Sequence, residues 1–86
     1  MYYTYILKSK KDNNFYIGST KDLKTRFKLH NDGKIFSTKG RRPFELIYYE
    51  AHKSEKDCRK REHNLKLRSR AFMQLKKRIQ NSIHYE

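Results

Sequence analysis

Eighty-six residues with 35 % hydrophobic and 14 % aromatic side chains suffice for a thin-cored domain burying roughly 60–65 % of the unfolded chain's surface, which excludes a chain disordered throughout. Twenty-two Lys and Arg against nine Asp and Glu leave a formal charge of +13, which repels itself in a compact state unless a polyanion neutralises it, so nucleic acid is the expected partner. The lone Cys58 excludes an internal disulfide, the apolar run from Tyr2 to Leu7 is too short for a signal-peptide core or a membrane span, and no basic stretch carries the apolar face of an interfacial helix; the expected location is cytoplasmic, with no membrane contact.

Tyr2 to Lys8 (YYTYILK) is rich in aromatic and β-favouring residues, and Phe15 to Ser19 (FYIGS) resembles it across a polar connector, which predicts a β-hairpin. Thr20-Lys21-Asp22 offers capping oxygens to a helix on which Leu23, Phe27 and His30 follow at the i, i+4, i+7 spacing of one face; it should stop near Asn31-Asp32-Gly33. Residues 33–43 hold two glycines, the only proline and four basic residues, and predict an exposed loop. Phe44 to Glu50 (FELIYYE) predicts a third strand, and Ser54-Glu55-Lys56-Asp57, which resembles a capping box, starts a helix reaching about Leu67. Ser69 is the predicted cap of a last helix whose Phe72, Leu75, Ile79 and Ile83 step by three or four while Lys76, Lys77 and Arg78 turn toward water. The expected fold class is α+β, a three-stranded antiparallel sheet flanked by helices in the order β-β-α-β-α-α. With no repeat, linker or low-complexity tract, residues 1–86 are expected to form a single domain.

Among residues able to carry chemistry, Arg26 and His30 lie four apart and share a helical face, although a snorkelling arginine and a half-buried histidine would look the same. Glu62 is odder. On the second helix it follows Cys58 by four and precedes Leu65 by three, where the apolar stripe calls for a hydrophobic side chain. An inward carboxylate is costly unless an arginine or a metal compensates it. Tyr5 and Tyr16 suit cross-strand packing. Gly18, inside a strand, marks a bulge or a point where something such as a phosphate approaches the backbone closely.

In chain order these positions read Tyr5, then Tyr16-Ile17-Gly18, Arg26, His30 and Glu62, which resembles the GIY-YIG nuclease superfamily over Tyr2 to about Leu75. The likeness is greatest to its small stand-alone bacterial proteins with URI-type domains. The YIG element is literally present. The first tripeptide departs from the pattern, since Tyr3-Thr4-Tyr5 keeps only the final tyrosine, and neither Asn64 nor Asn81 matches the family's late asparagine. The resemblance implies a metal-dependent endonuclease that hydrolyses phosphodiester bonds in DNA with low sequence specificity. It implies that Glu62 holds a single Mg²⁺ or Mn²⁺ and that Arg26 donates to the phosphate. Tyr5 is the candidate general base, its pKa lowered by a nearby cation, although spacing does not decide between Tyr5 and Tyr16 for that role, and His30 would accept a proton from Tyr5 or Tyr16 or donate to the phosphate. Gly18, Lys21, Lys24, Lys28, Lys34, Lys39, Arg41 and Arg42 are the expected nucleic-acid contacts, largely blind to sequence, which leaves target choice to nucleic-acid shape or a partner protein. The alternative is a catalytically inactive basic module that binds DNA or RNA, from which an inward Glu62 would distinguish the nuclease. Genome repair and mobile-element processing are both compatible settings.

Overall fold

The structure is a computed structural model that describes residues 1–67 and 70–85. The elements are β1 (Tyr2–Ser9), β2 (Phe15–Thr20), α1 (Leu23–Asn31), a 3-10 turn (Lys39–Arg41), β3 (Phe44–His52), α2 (Glu55–Lys66), α3 (Arg70–Arg78) and the short α4 (Gln80–Ile83). The strands form one antiparallel sheet in the order β2-β1-β3, so the first strand is the central one. Its register sets Tyr5 between Gly18 of β2 and Tyr49 of β3, and a bulge follows between Ile6 and Leu7 on the β3 side. The α+β class and the element order are as expected from the sequence.

Two of the three predicted helix starts are seen to be capped by the side chains the sequence offered. Asp22 accepts from the Thr25 amide and hydroxyl, and Ser54 accepts from the Asp57 amide. Gly33, at φ +74, ends α1 in a conformation that a side chain would strain. Because β1 is central and covered on both faces, its alternating side chains serve two cores. Ile6 joins Ile17, Ile47, Leu65, Leu75 and Ile83 on the face covered by α2, α3 and α4. Tyr5 and Leu7 join Phe44 on the opposite face, with Tyr16, Leu23, Phe27 and Leu46 around them. Thr4 stitches the α2 face by donating to the Cys58 carbonyl at 3.0 Å.

Two expectations change. The segment 33–43 is not wholly an exposed loop, for it contains the 3-10 turn and buries Thr38 completely. The last helix is not continuous: Ile79 leaves helical geometry (φ −116, ψ 28), and α4 then buries Ile83 in the α2-side core and ends with its carbonyl accepting from Lys8. The periodicity of Phe72, Leu75, Ile79 and Ile83 records that all four reach apolar surroundings, which a broken helix satisfies as well. The predicted cap Ser69 lies outside the described residues.

Candidate active site

The site begins at Gly18. A Cβ built there would stand 2.6 Å from Tyr5 Oη, 2.7 Å from Tyr5 Cζ and 3.0 Å from a ring carbon of Tyr16. Only a residue without a side chain lets the two tyrosines close over β2 in this way. Their ring centroids are 6.3 Å apart, and the His30 ring packs edge-on against both, 5.9 Å from Tyr5 and 4.9 Å from Tyr16. Tyr5 (1 % exposed) and His30 (0 %) are sealed from water. Tyr5 Oη lies 2.9 Å from His30 Nε2, and His30 Nδ1 lies 2.8 Å from Thr38 Oγ1. The Tyr5 and Thr38 hydroxyls thus occupy both ring nitrogens of His30, with donor and acceptor roles set by the imidazole tautomer.

Burial sets the protonation of this cluster. It pushes the Tyr5 phenol up to about 12, the neighbouring Tyr16 and Glu62 adding to the rise and the Arg26 guanidinium opposing it. Burial also pushes His30 down to about 4, helped by the positive charge of Arg26. At neutral pH the phenol keeps its proton and the imidazole is uncharged. The lowered Tyr5 pKa expected from the sequence is thus not seen: Arg26 is present, but desolvation of the phenolate outweighs it. Both His30 nitrogens are likewise engaged in the interior rather than turned to the surface.

A pH dependence of stability follows. His30 binds a proton less readily folded than unfolded, so its contribution is whole above pH 6.5, the ordinary histidine value, and is lost as pH falls toward its folded value of about 4. Between pH 7 and 5 this costs about 2 kcal/mol. Urea unfolding should show wild type losing more stability over this interval than His30→Gln; equal losses would mean that His30 titrates freely.

Arg26 projects from α1 one turn before His30. It is half-buried, its guanidinium acts on the Tyr5 phenol, and its Nε is buried without a hydrogen-bond partner. Glu62 comes from α2, on the other side of the sheet edge. Cys58 and Leu65 are buried as its spacing suggested, but the Glu62 side chain stands at the core boundary (19 % exposed) rather than among them. Its Oε1 accepts from Ser19 Oγ at 2.6 Å and its Oε2 pairs with Lys66 Nζ at 2.6 Å. Burial alone would raise its pKa, but the donors Lys66 and Ser19, with Arg59 nearby, outweigh it and keep the carboxylate ionised. Ser19, Lys66 and Thr38 were missed in the sequence. Lys66 had a local signal, standing four residues after Glu62 in the favourable acid-to-base order. Ser19 and Thr38 had none.

The sequence profile of the GIY-YIG catalytic domain matches residues 1–79. The chain belongs to the GIY-YIG family. It is 40 % identical over 75 residues to the UPF0213 protein YazA of Bacillus subtilis, covering 86 % of this chain and 75 % of that protein. It is 41 % identical over 70 residues to a UPF0213 protein of Staphylococcus haemolyticus, covering 80 % and 84 %. Among solved structures it is similar to the solution NMR structure of the UPF0213 protein BH0048 from Bacillus halodurans, with a TM-score of 0.54, 36 % identity, and coverage of 87 % of this chain and 81 % of that one. The likeness thus extends to small bacterial proteins as well as to the catalytic domain.

Membership in the GIY-YIG family points to nuclease chemistry, nucleic-acid binding and a divalent metal. Among the described residues no three His, Cys, Asp or Glu converge, so the described part of this GIY-YIG chain offers no all-protein metal cage. It offers one ionised carboxylate whose outer oxygen carries a half-exposed ammonium. That donor set fits Mg²⁺ or Mn²⁺, hard ions that need one or two carboxylates, keep several waters and complete their shell with phosphate oxygens. Of the expected nucleic-acid contacts, Lys21, Lys24, Lys34 and Lys39 are exposed, while Lys28 is exposed but paired with Asp32 at 2.6 Å. Arg41 is committed elsewhere: its Nε donates to Asp12 at 2.8 Å, bracing the hairpin and holding that carboxyl down at about 2. Arg42 lies across Gly33 and donates to the Lys39 carbonyl. Among the described residues no helix is long and apolar enough to cross a membrane.

Proposed function

We propose that this chain is a cytoplasmic, metal-dependent endonuclease that hydrolyses phosphodiester bonds in DNA with low sequence specificity, binding and cutting within one domain. The observation that carries this reading is that charges of opposite sign, Arg26 on α1 and Glu62 on α2, both act on the Tyr5 phenol, which rests on the bare backbone of Gly18. A purely structural arginine would spend its buried donor, yet Arg26 Nε has no partner.

In this reading the Arg26 fork donates to the non-bridging oxygens of the scissile phosphate, where charge builds as the bond breaks. Tyr16, half-buried beside the same glycine, is the tyrosine that meets substrate and orients the attacking water. Tyr5, His30 and Thr38 are positioning residues that hold Tyr16 and the β2 backbone in place. Glu62, seated by Ser19, would hold the metal after Lys66 swings away. A metal held by Glu62 would supply charge neutralisation and stabilisation of the leaving oxygen. Target choice then rests on nucleic-acid shape or a partner protein.

A silent nucleic-acid-binding module is the competing reading, favoured by the completeness with which Ser19 and Lys66 already satisfy Glu62. Plasmid nicking with Mg²⁺ and Mn²⁺ separates the two. Arg26→Ala should cut about 10² to 10³ times more slowly than wild type, with Arg26→Lys restoring little because an ammonium lacks the planar fork. Binding that persists in wild type without cleavage in either metal would establish the silent module instead.

A further inference from the structure

Tyr49 is 52 % exposed, an unusual state for an aromatic residue in the middle of a strand. Its place is specific: on β3 it stands directly opposite Tyr5, so Gly18, Tyr5 and Tyr49 form one row across the sheet. Tyr3 meets Tyr49 edge-on, with centroids 5.9 Å apart and planes at 67°. Leu23 and Phe27 of α1 and Leu46 of β3 continue this apolar surface, and the whole forms an open groove of about 780 Å³. Lys21 and Lys24 stand at its rim, both exposed. The one acid there, Asp22, is turned into its own helix cap, where the Thr25 amide and hydroxyl hold its carboxyl below the usual range.

We propose that this groove is a single-strand subsite, in which an unpaired base stacks on Tyr49 while Lys21 and Lys24 hold the phosphates beside it. Placing the scissile phosphate of that strand at the far end of the Gly18–Tyr5–Tyr49 row rests on the nuclease reading above. The substrate is thereby narrowed to nucleic acid with an unpaired segment next to the cut. Duplex DNA presents its phosphates outward and keeps its base faces stacked on one another, so an exposed aromatic floor gives it nothing. Single strands are held by aromatic platforms together with basic rims, as this groove provides. A chain of +13 charge with two exposed lysines on the rim favours this polyanion over an apolar peptide.

The test is fluorescence anisotropy with a labelled oligothymidine and a blunt duplex of equal length, in chelating buffer so that nothing is cut. Tyr49→Ala should weaken oligothymidine binding about tenfold and duplex binding by less than about twofold, with Tyr49→Phe, which keeps the ring, close to wild type. An unchanged thermal melt of Tyr49→Ala shows that the fold is intact. Equal weakening of both ligands, or no effect on either, would overturn the proposal. So would an unchanged oligothymidine affinity accompanied by loss of a dimer, which would assign the groove to a second copy of the chain. Because binding is read without metal, failure of the nuclease reading shows separately, as absent nicking with Mg²⁺ or Mn²⁺.

Discussion

Glu62→Gln is expected to reduce cleavage on the order of 10³-fold while leaving the fold and DNA affinity nearly unchanged. Glutamine keeps the length of the side chain, and its amide oxygen can still accept from Ser19 Oγ. What it loses is the negative charge that Lys66 neutralises at rest and that a divalent ion would require. The Lys66 pair is an i,i+4 contact with a half-exposed lysine, so its loss should cost stability only about 0.3–0.5 kcal/mol. Activity and stability are therefore separable at this residue. Plasmid nicking, thermal melting and anisotropy on the same preparations test the separation. A Glu62→Gln variant that cuts as fast as wild type would remove Glu62 from the chemistry, and the metal reading with it.

Gly18→Ala should be the most damaging single-methyl substitution in the site. Alanine in place of a strand glycine ordinarily gains on backbone entropy. Here the added Cβ would lie 2.6 Å from Tyr5 Oη and 2.7 Å from its ring, and neither atom has room to yield. Tyr5 is sealed in the central strand, its hydroxyl is held by His30, and His30 is held in turn by Thr38. Relieving the clash means shifting the phenol and leaving His30 Nε2 buried without its partner. Overpacking and a lost buried hydrogen bond together cost about 2–4 kcal/mol, a fall in Tm of roughly 10 °C or more for a domain of this size. Gly40→Ala is the control, because nothing lies within 4 Å of the Cβ it would add. Thermal melting by circular dichroism should show a large drop for Gly18→Ala and little change for Gly40→Ala. Matching melts would mean that Tyr5 is free to move and that the cluster does not hold the site rigid.

The family was legible because its signature is a spacing, and spacing is what a sequence records directly. The hairpin, α1, β3 and α2 were legible for a related reason: alternation, helical periodicity and the caps at Asp22 and Ser54 involve residues at most a few positions apart. The break at Ile79 was not, since four apolar residues at helical spacing read the same whether the helix runs straight or turns to bury Ile83. Arg41 illustrates a second loss. It looked free in a basic loop because its acidic partner, Asp12, stands in the preceding hairpin.

The sequence by itself thus determined the hairpin, α1, β3 and α2, the excess of positive charge and the candidate residues Tyr5, Tyr16, Arg26, His30 and Glu62. The tertiary structure alone decided their chemical states. Tyr5 keeps its proton because both faces of its strand are covered, His30 stays neutral because it is buried beside the Arg26 charge, and Glu62 stays charged in part because Ser19 reaches it from a strand 43 residues away. Periodicity and capping are near-neighbour properties of the chain, whereas desolvation and long-range hydrogen bonds sum over everything packed around a group, and that sum exists only once the chain has folded.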